Sequence, residues 1–248
     1  MWYIKIVDGD GNSEAATIDK SEVADITAVP KVTLNLSSLP PQSGFTPGII
    51  HQLLEESTHI NLQRIGGSAS REAFYNPRTN EVYLVLNSLN LPIIQKQLEE
   101  QIKFYISYKE DEAFSQVIAP ITGIITIKKL DGDGEAIVGM IQKSAGISLA
   151  EYKRRGGKIT SKQIEEFLEN YRKVIELTGL PHGDLTHSGW VVEWDNIRID
   201  PETGRLRLID YQGKRGFKES AKILLGETEA EIQTLRLALA DFFIPKAA

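Results

Sequence analysis

The sequence contains no cysteine, which excludes disulfides, thiolate nucleophiles and cysteine-ligated zinc. Its four histidines, His51, His59, His182 and His187, show no H-E-x-x-H spacing. No apolar run approaches the ~18 residues of a membrane span, so no membrane span is expected. Met1-Trp2-Tyr3-Ile4-Lys5 does not read as a cleavable signal peptide, and a cytoplasmic protein is the first expectation. Positive charge is also scarce. There are 28 Lys and Arg against 34 Asp and Glu, a formal net charge of -6. A nucleic-acid binder usually carries a basic face, so no nucleic-acid partner is expected. One shortage is local: no lysine occurs between Val32 and Gln95.

The 248 residues, 41% of them hydrophobic, are enough for one domain or a two-lobed one with a sizeable core. Residues 2–7 are β-like and end in Asp8-Gly9-Asp10-Gly11-Asn12. That run starts like a calcium loop, but Ser13 stands where the loop glycine belongs and Asp19 where its bidentate Glu belongs, so a hairpin turn is expected. Asp131-Gly132-Asp133-Gly134 is a turn of the same kind. Residues 31–37 alternate like a strand, and Thr46-Pro47 predicts a helix start, with the helix running to about Glu56. Residues 1–58 are taken as an N-terminal extension.

Strands are expected on either side of Gly66-Gly67-Ser68-Ala69-Ser70, followed by a strand at Glu81–Leu86. Ile94, Leu98, Ile102 and Tyr105 predict a helix from about Asn90 to Tyr108. Two strands follow at about 115–128 and 136–142, and a linker at 144–152 runs into a short helix. Thr160-x-x-Gln163 is a capping box, and Gly179 is placed to end the helix behind it. A second capping box, Thr228-x-x-Glu231, opens the last helix. A β-rich half thus precedes an α-rich half, which suggests two lobes with a cleft between them, joined near Met140–Gly146.

The chemistry concentrates in Pro181-His182-Gly183-Asp184-Leu185 and its continuation from Asp195 to Gly213. This stretch sets Asp184, Asn196 and Asp210 on short loops around a hairpin. Phosphoryl transfer uses such a set: a carboxylate near the incoming hydroxyl, and an amide with a second carboxylate to hold Mg²⁺ on the phosphates. A small-residue turn such as Gly66–Ser70 lets backbone N–H groups approach phosphate oxygens. Lys153, Arg154, Arg155 and Lys158 form a basic run that reads as a solvated face. Trp190 and Trp194 admit two readings, internal packing or a partner anchor.

These residues resemble the protein-kinase-like fold. His182-Gly183-Asp184-Leu185 is similar to the catalytic-loop motif in its His-Gly-Asp variant. Asn196 with its hairpin is similar to the metal-binding Asn, and Ile209-Asp210-Tyr211-Gln212-Gly213 to the Asp-Phe-Gly segment. Gly66–Ser70 looks like a reduced glycine-rich loop, and Met140–Lys143 like a hinge. The resemblance implies an α+β, two-lobed fold. A β-rich N-lobe would span 59–142 and a reduced helical C-lobe 143–248. It implies ATP and Mg²⁺, with Asp184 as the catalytic carboxylate and Asn196 and Asp210 on the metal. The nucleotide would be met by Gly66, Gly67, Ser68, Ser70, Arg71, Lys96 and Gln142.

Three departures shape the expectation. The third-strand lysine of the family falls near Leu86, where this chain has none, leaving Arg71 and Lys96 as candidate cations and Glu99 or Glu100 as candidate helix partners. Asn196 comes twelve residues after Asp184 rather than five. About 35 residues follow Gly213, which resembles the minimal effector-type protein kinases of some Gram-negative bacteria. The expected function is therefore a minimal ATP- and Mg²⁺-dependent Ser/Thr kinase acting on a protein of a host cell, whose cytosol it would enter by secretion. The alternatives are a pseudokinase scaffold and a small-molecule, aminoglycoside-type phosphotransferase.

Overall fold

The computed structural model describes residues 3–7, 13–17, 26–35, 46–67, 70–87, 92–128, 135–179, 181–182, 185–187, 191–192, 194–209, 211 and 221–243. It is a mixed α+β structure. Contacts divide the chain into two compact units, one of Ala24–Ser107 and Ala119–Ser144, the other of Met1–Val23, Tyr108–Ile118 and Ala145–Ala248. The chain passes between them at Val23–Ala24, Ser107–Tyr108, Ile118–Ala119 and Ser144–Ala145. Strands β1 (Tyr3–Val7) and β2 (Ser13–Thr17) pair antiparallel around the expected turn, whose own residues 8–12 lie outside the described set.

The first unit is built on six strands: β3 (Lys31–Leu34), β4 (Gln63–Gly67), β5 (Arg71–Asn76), β6 (Glu81–Leu86), β7 (Ile121–Lys128) and β8 (Glu135–Lys143). Their order is β3-β7-β8-β6-β5-β4. Only β3–β7 is parallel. Side chains of a strand alternate between faces, and β6 shows the result. Tyr83 and Val85 pack with Ile50, Leu53 and Leu54 of helix α1 (Pro47–Thr58). Leu86 packs with Leu98 and Ile102 of helix α2 (Pro92–Tyr108), and Leu84 leans on the same cluster. Each face of the sheet is thereby covered by one helix. The expected start of α1 is present: Thr46 caps it, accepting the Ile49 N–H at 3.4 Å, and Pro47 follows. Residues 26–58, expected as an extension, supply β3 and α1 to this unit.

The second unit contains α3 (Glu112–Val117), α4 (Leu149–Arg154), α5 (Ser161–Thr178) and α6 (Ala221–Phe243). It also holds a three-stranded sheet of order β13-β12-β9, from Leu206–Leu208, Ile197–Ile199 and Ile147–Ser148, and a short pair β10 (Thr186–His187) and β11 (Val191–Val192). Both halves of the Thr160–Gln163 capping box form, and Gly179 ends α5 in the left-handed conformation at φ 67°. Ile164, Phe167, Leu168, Tyr171 and Ile175 are buried as the periodicity predicts, and α5 packs with α3 and with α6, whose Ile232, Leu235 and Leu239 are also buried. Gly146 is required where it stands. Its φ is 96°, and a Cβ there would lie 2.0 Å from the Ile199 carbonyl oxygen across the β9–β12 pair.

Two expectations are corrected. The strand expected from about 115 begins only at Ile121, because Asp111 accepts the Phe114 N–H at 2.9 Å and caps a helix that buries Phe114 and Val117. Thr228 does not open the last helix. Ala221-Lys222-Ile223-Leu224-Leu225 are good helix formers, so α6 starts at Ala221 and Thr228 lies buried within it. Among the described residues, no helix is long and apolar enough to cross a membrane.

Candidate functional site

The small-residue turn joins two paired strands. β4 and β5 run antiparallel, with a bulge at Ile65 and Gly67 opposite Glu72. Gly66 has open space where a side chain would go, whereas a Cβ on Gly67 would meet the Glu72 carboxylate at 2.8 Å. That carboxylate is buried and accepts from Arg64 Nε at 2.9 Å. Gly67 is therefore a glycine for a reason internal to the hairpin. Ser68 lies outside the described residues; Ser70 accepts the Asn87 N–H at its carbonyl, at 3.0 Å.

Of the two candidate cations, Lys96 is exposed on α2. Arg71, half-buried at the start of β5, donates from Nη2 to Gln101 Oε1 of α2 at 3.2 Å. Gln101 is itself buried, at 6% exposure. Gln142 is buried in β8 and donates to the Ala119 carbonyl at 3.4 Å.

Asp184 and Asp210 lie outside the described residues; His182, Ile209 and Tyr211, near them in the chain, are described. His182 is buried at 2% exposure, and its Nε2 is 2.9 Å from the Ile209 carbonyl oxygen. The N–H of the same Ile209 donates to the Asn196 carbonyl at 3.1 Å. Asn196, half-buried, ends a 3-10 turn (Trp194–Asn196) that leads into β12. One residue thus receives both arms of the loop: the histidine two positions before Asp184, and the asparagine expected on the metal. Ile209 immediately precedes Asp210 in the chain.

Beneath this junction lies a buried relay. Tyr171 of α5, fully buried, accepts the His182 N–H at its hydroxyl at 2.8 Å and donates to Glu231 of α6. Burial, then the Glu231 charge, push the Tyr171 phenol well above its usual value. Tyr211 lies edge-on to His182, with ring centroids 5.6 Å apart, and edge-on to Phe114 of α3 at 6.3 Å. Its hydroxyl is 3.3 Å from that of Thr178, and burial raises its phenol as well. Neither the Tyr171–Glu231 bond nor Gln101 was singled out from the sequence. Their only signal there is a polar side chain inside an apolar helical stripe.

The hairpin after Asn196 is fixed locally. Asp200 Oδ1 accepts the N–H groups of Glu202 at 2.9 Å and Thr203 at 3.3 Å, and Gly204 takes φ 70°. Burial alone would raise the Asp200 carboxyl, but those N–H groups, the Thr203 hydroxyl and Arg207 together hold it below the usual range. Gln163 adds a tie from α5, donating to the Gly204 carbonyl at 3.1 Å. Within the basic run, Arg154 and Arg155 both pair with Glu151, as expected of a solvated charged face. Among the described residues, no three His, Asp or Glu side chains gather as a ready metal site.

Together these features define a mixed α+β protein: a six-stranded sheet unit, and a helical unit whose loop junction rests on a buried tyrosine bonded to a half-buried glutamate. No model of a known protein family matches the chain, and comparison with curated proteins finds no match.

Proposed function

We propose that this protein is a phosphotransferase of the protein-kinase-like class that moves the γ-phosphoryl group of ATP, with Mg²⁺, to a hydroxyl of a protein serine or threonine. The observation that carries the reading is the convergence on Ile209. His182 meets its carbonyl, and its N–H donates to the Asn196 carbonyl, so segments that are distant in sequence and carry the three expected side chains are tied at one residue. The order of elements supports the same reading. A glycine-containing hairpin, a third strand, two helices and two further strands lead to Lys143.

In this reading Asp184 orients the acceptor hydroxyl or takes its proton, as a positioned carboxylate can. Asn196 and Asp210 present oxygen ligands, the donor type that Mg²⁺ prefers. The ion, when bound, offsets the phosphate charge. His182 holds the loop by its hydrogen bond to Ile209 rather than by touching the acceptor.

The test is transfer of labelled γ-phosphate from ATP to the protein itself or to lysate proteins. Replacing Asp184 by Ala is expected to lower the rate by about 10²–10⁴-fold, and Asn196→Ala is expected to raise the Mg²⁺ requirement. Transfer unchanged by Asp184→Ala would refute the proposal. One observation favours a second reading. The expected lysine position is Leu86, wholly buried in an apolar cluster, and a pseudokinase would bind ATP, gain thermal stability by mass action, and show no transfer.

A further inference from the structure

The helical unit holds a cleft that the candidate catalytic loop does not use. It lies between α3, the first half of α5 and the turn joining β12 to β13, and its volume is about 210 Å³. All of its lining residues belong to one compact unit. Sites for drug-sized ligands run to about 300–1,000 Å³, so this cleft suits one or two residues of a peptide rather than a nucleotide. Val117, Phe167 and Leu206 are the buried part of its lining. The walls are fixed from within the fold. Gln163 completes the capping box of α5 and donates to the Gly204 carbonyl at 3.1 Å, which joins helix to turn. Asp200 holds the same turn through the Glu202 and Thr203 N–H groups. Phe167 is stacked on Tyr171. Three polar side chains on these walls, those of Gln116, Asn170 and Arg205, have no hydrogen-bond or ion-pair partner among the described residues. Glu166, also on the wall, lies 3.6 Å from Lys162, which offsets its charge.

We infer that this cleft binds an extended acidic peptide: Arg205 takes the carboxylate of an Asp or Glu side chain, and Gln116 and Asn170 take main-chain N–H and C=O groups beside it. The peptide is a docking segment of the protein that carries the acceptor hydroxyl, and that part of the inference rests on the phosphotransferase reading above. Three features carry it. A guanidinium presents planar paired donors that match a carboxylate. Each side-chain amide offers a donor and an acceptor, as a peptide main chain does, whereas a bare inorganic anion would call on donors alone. Walls already fixed by the capping box and the turn reduce the ordering cost of binding. The position also fits docking. Asn196 precedes the three-residue strand β12 and the turn follows it, so about 10 Å of strand separates them, and a peptide in the cleft leaves the acceptor position open.

The experiment titrates the full chain with capped hexapeptides of glycine and alanine that carry Asp, Asn or Lys at one central position, followed by amide NMR shifts. The Asp peptide is expected to shift the amides of Gln116, Asn170 and Arg205 and to bind about tenfold more tightly than the Asn peptide. Arg205→Glu, an exposed change, is expected to leave the melting temperature unchanged and to reverse the preference from Asp to Lys. Asn170→Ala is expected to weaken the Asp and Asn peptides alike, by about threefold. Equal binding of the Asp and Lys peptides overturns the inference, as do shifts confined to other elements or an unchanged preference in Arg205→Glu. Free succinate bound as tightly as the Asp peptide also overturns it, because the main chain is then not read. A second arm joins a serine acceptor to the Asp peptide by a flexible linker. Arg205→Glu is expected to raise the KM for this acceptor about tenfold and to leave kcat and the KM for ATP unchanged; an unchanged acceptor KM overturns the docking role. Peptide binding by the wild-type chain without any transfer overturns the phosphotransferase reading instead, and leaves the cleft as a peptide site.

Discussion

Replacing Tyr171 by Phe tests whether the C-terminal helix holds the candidate catalytic loop. The change removes one oxygen and leaves the ring, so the stacking on Phe167 at 6.2 Å is preserved and no side-chain cavity opens. Two groups lose a partner. The His182 N–H, in a buried residue, loses its acceptor at 2.8 Å, and leaving a buried donor unsatisfied costs about 1–3 kcal/mol. Glu231 is only half-buried, so water can replace its lost donor at small cost. The hydroxyl no longer has to be desolvated, which returns part of the loss. The expected destabilisation is about 1–2 kcal/mol.

Because the chain forms two compact units, a single unfolding transition is not assumed. Hydrogen exchange of α5 amides reads the unit in question directly. A functional arm follows from the sequence distance: His182 lies two residues before Asp184. If the relay sets the loop's register, Tyr171→Phe lowers kcat while leaving the KM for ATP nearly unchanged. Glu231→Gln, which keeps an acceptor for the phenol, has a milder effect on both readouts. A destabilisation under about 0.5 kcal/mol, together with wild-type kcat, would show that the loop is held by other contacts.

Three further outcomes are expected. Tyr171 and Tyr211 keep their protons in the fold above the usual value of 10.0, while the unfolded chain ionises them near it. The folded state then binds more protons, so this stabilising contribution is complete below pH 10 and falls as pH rises, by about 1.4 kcal/mol per pH unit for each tyrosine. Denaturant midpoints from pH 9 to 11.5 should show this slope, and Tyr211→Phe should flatten it; an identical slope in the variant refutes the assignment. Gly146→Ala places a Cβ 2.0 Å from the Ile199 oxygen at φ 96°, and is expected to cost more than about 3 kcal/mol or to detach β9 from β12, seen as lost exchange protection at Ile199. Gln163→Ala removes both the capping-box acceptor and the donor to the Gly204 carbonyl. It is expected to lower the stability of the α5 unit by about 1–2 kcal/mol, measured as faster exchange in the first turn of the helix.

What could be read from the sequence is what its determinants place close together. The α5 helix is legible because its cap, its apolar stripe and its terminating glycine lie within twenty consecutive residues, Thr160 to Gly179. The β1–β2 pairing is legible for the same reason, from a turn between two β-like runs. Pattern fails where two local signals compete. Phe114 and Val117 fit a strand or one turn of helix, and only the Asp111 cap decides between them. Thr228 and Glu231 have cap spacing, yet the helix formers ahead of them carry α6 straight through. Glu231 is thereby freed from capping and turned to Tyr171, sixty residues away in the chain.

The same limit explains the lysine problem. From sequence alone, a missing cation at Leu86 leaves Arg71, inside the segment without lysine, and Lys96, just beyond its end, as equal candidates. Helix position leaves Lys96 exposed on α2. Strand pairing carries Arg71 across fifteen residues of chain to stand opposite Leu86, and helix docking brings Gln101 to it from thirty residues on. Neither operation leaves a local trace, since register is set by the whole alternating pattern of β5 and β6 and not by the residues that it brings together. A motif search that tests only the Leu86 position does not register Arg71, which strand pairing sets opposite it.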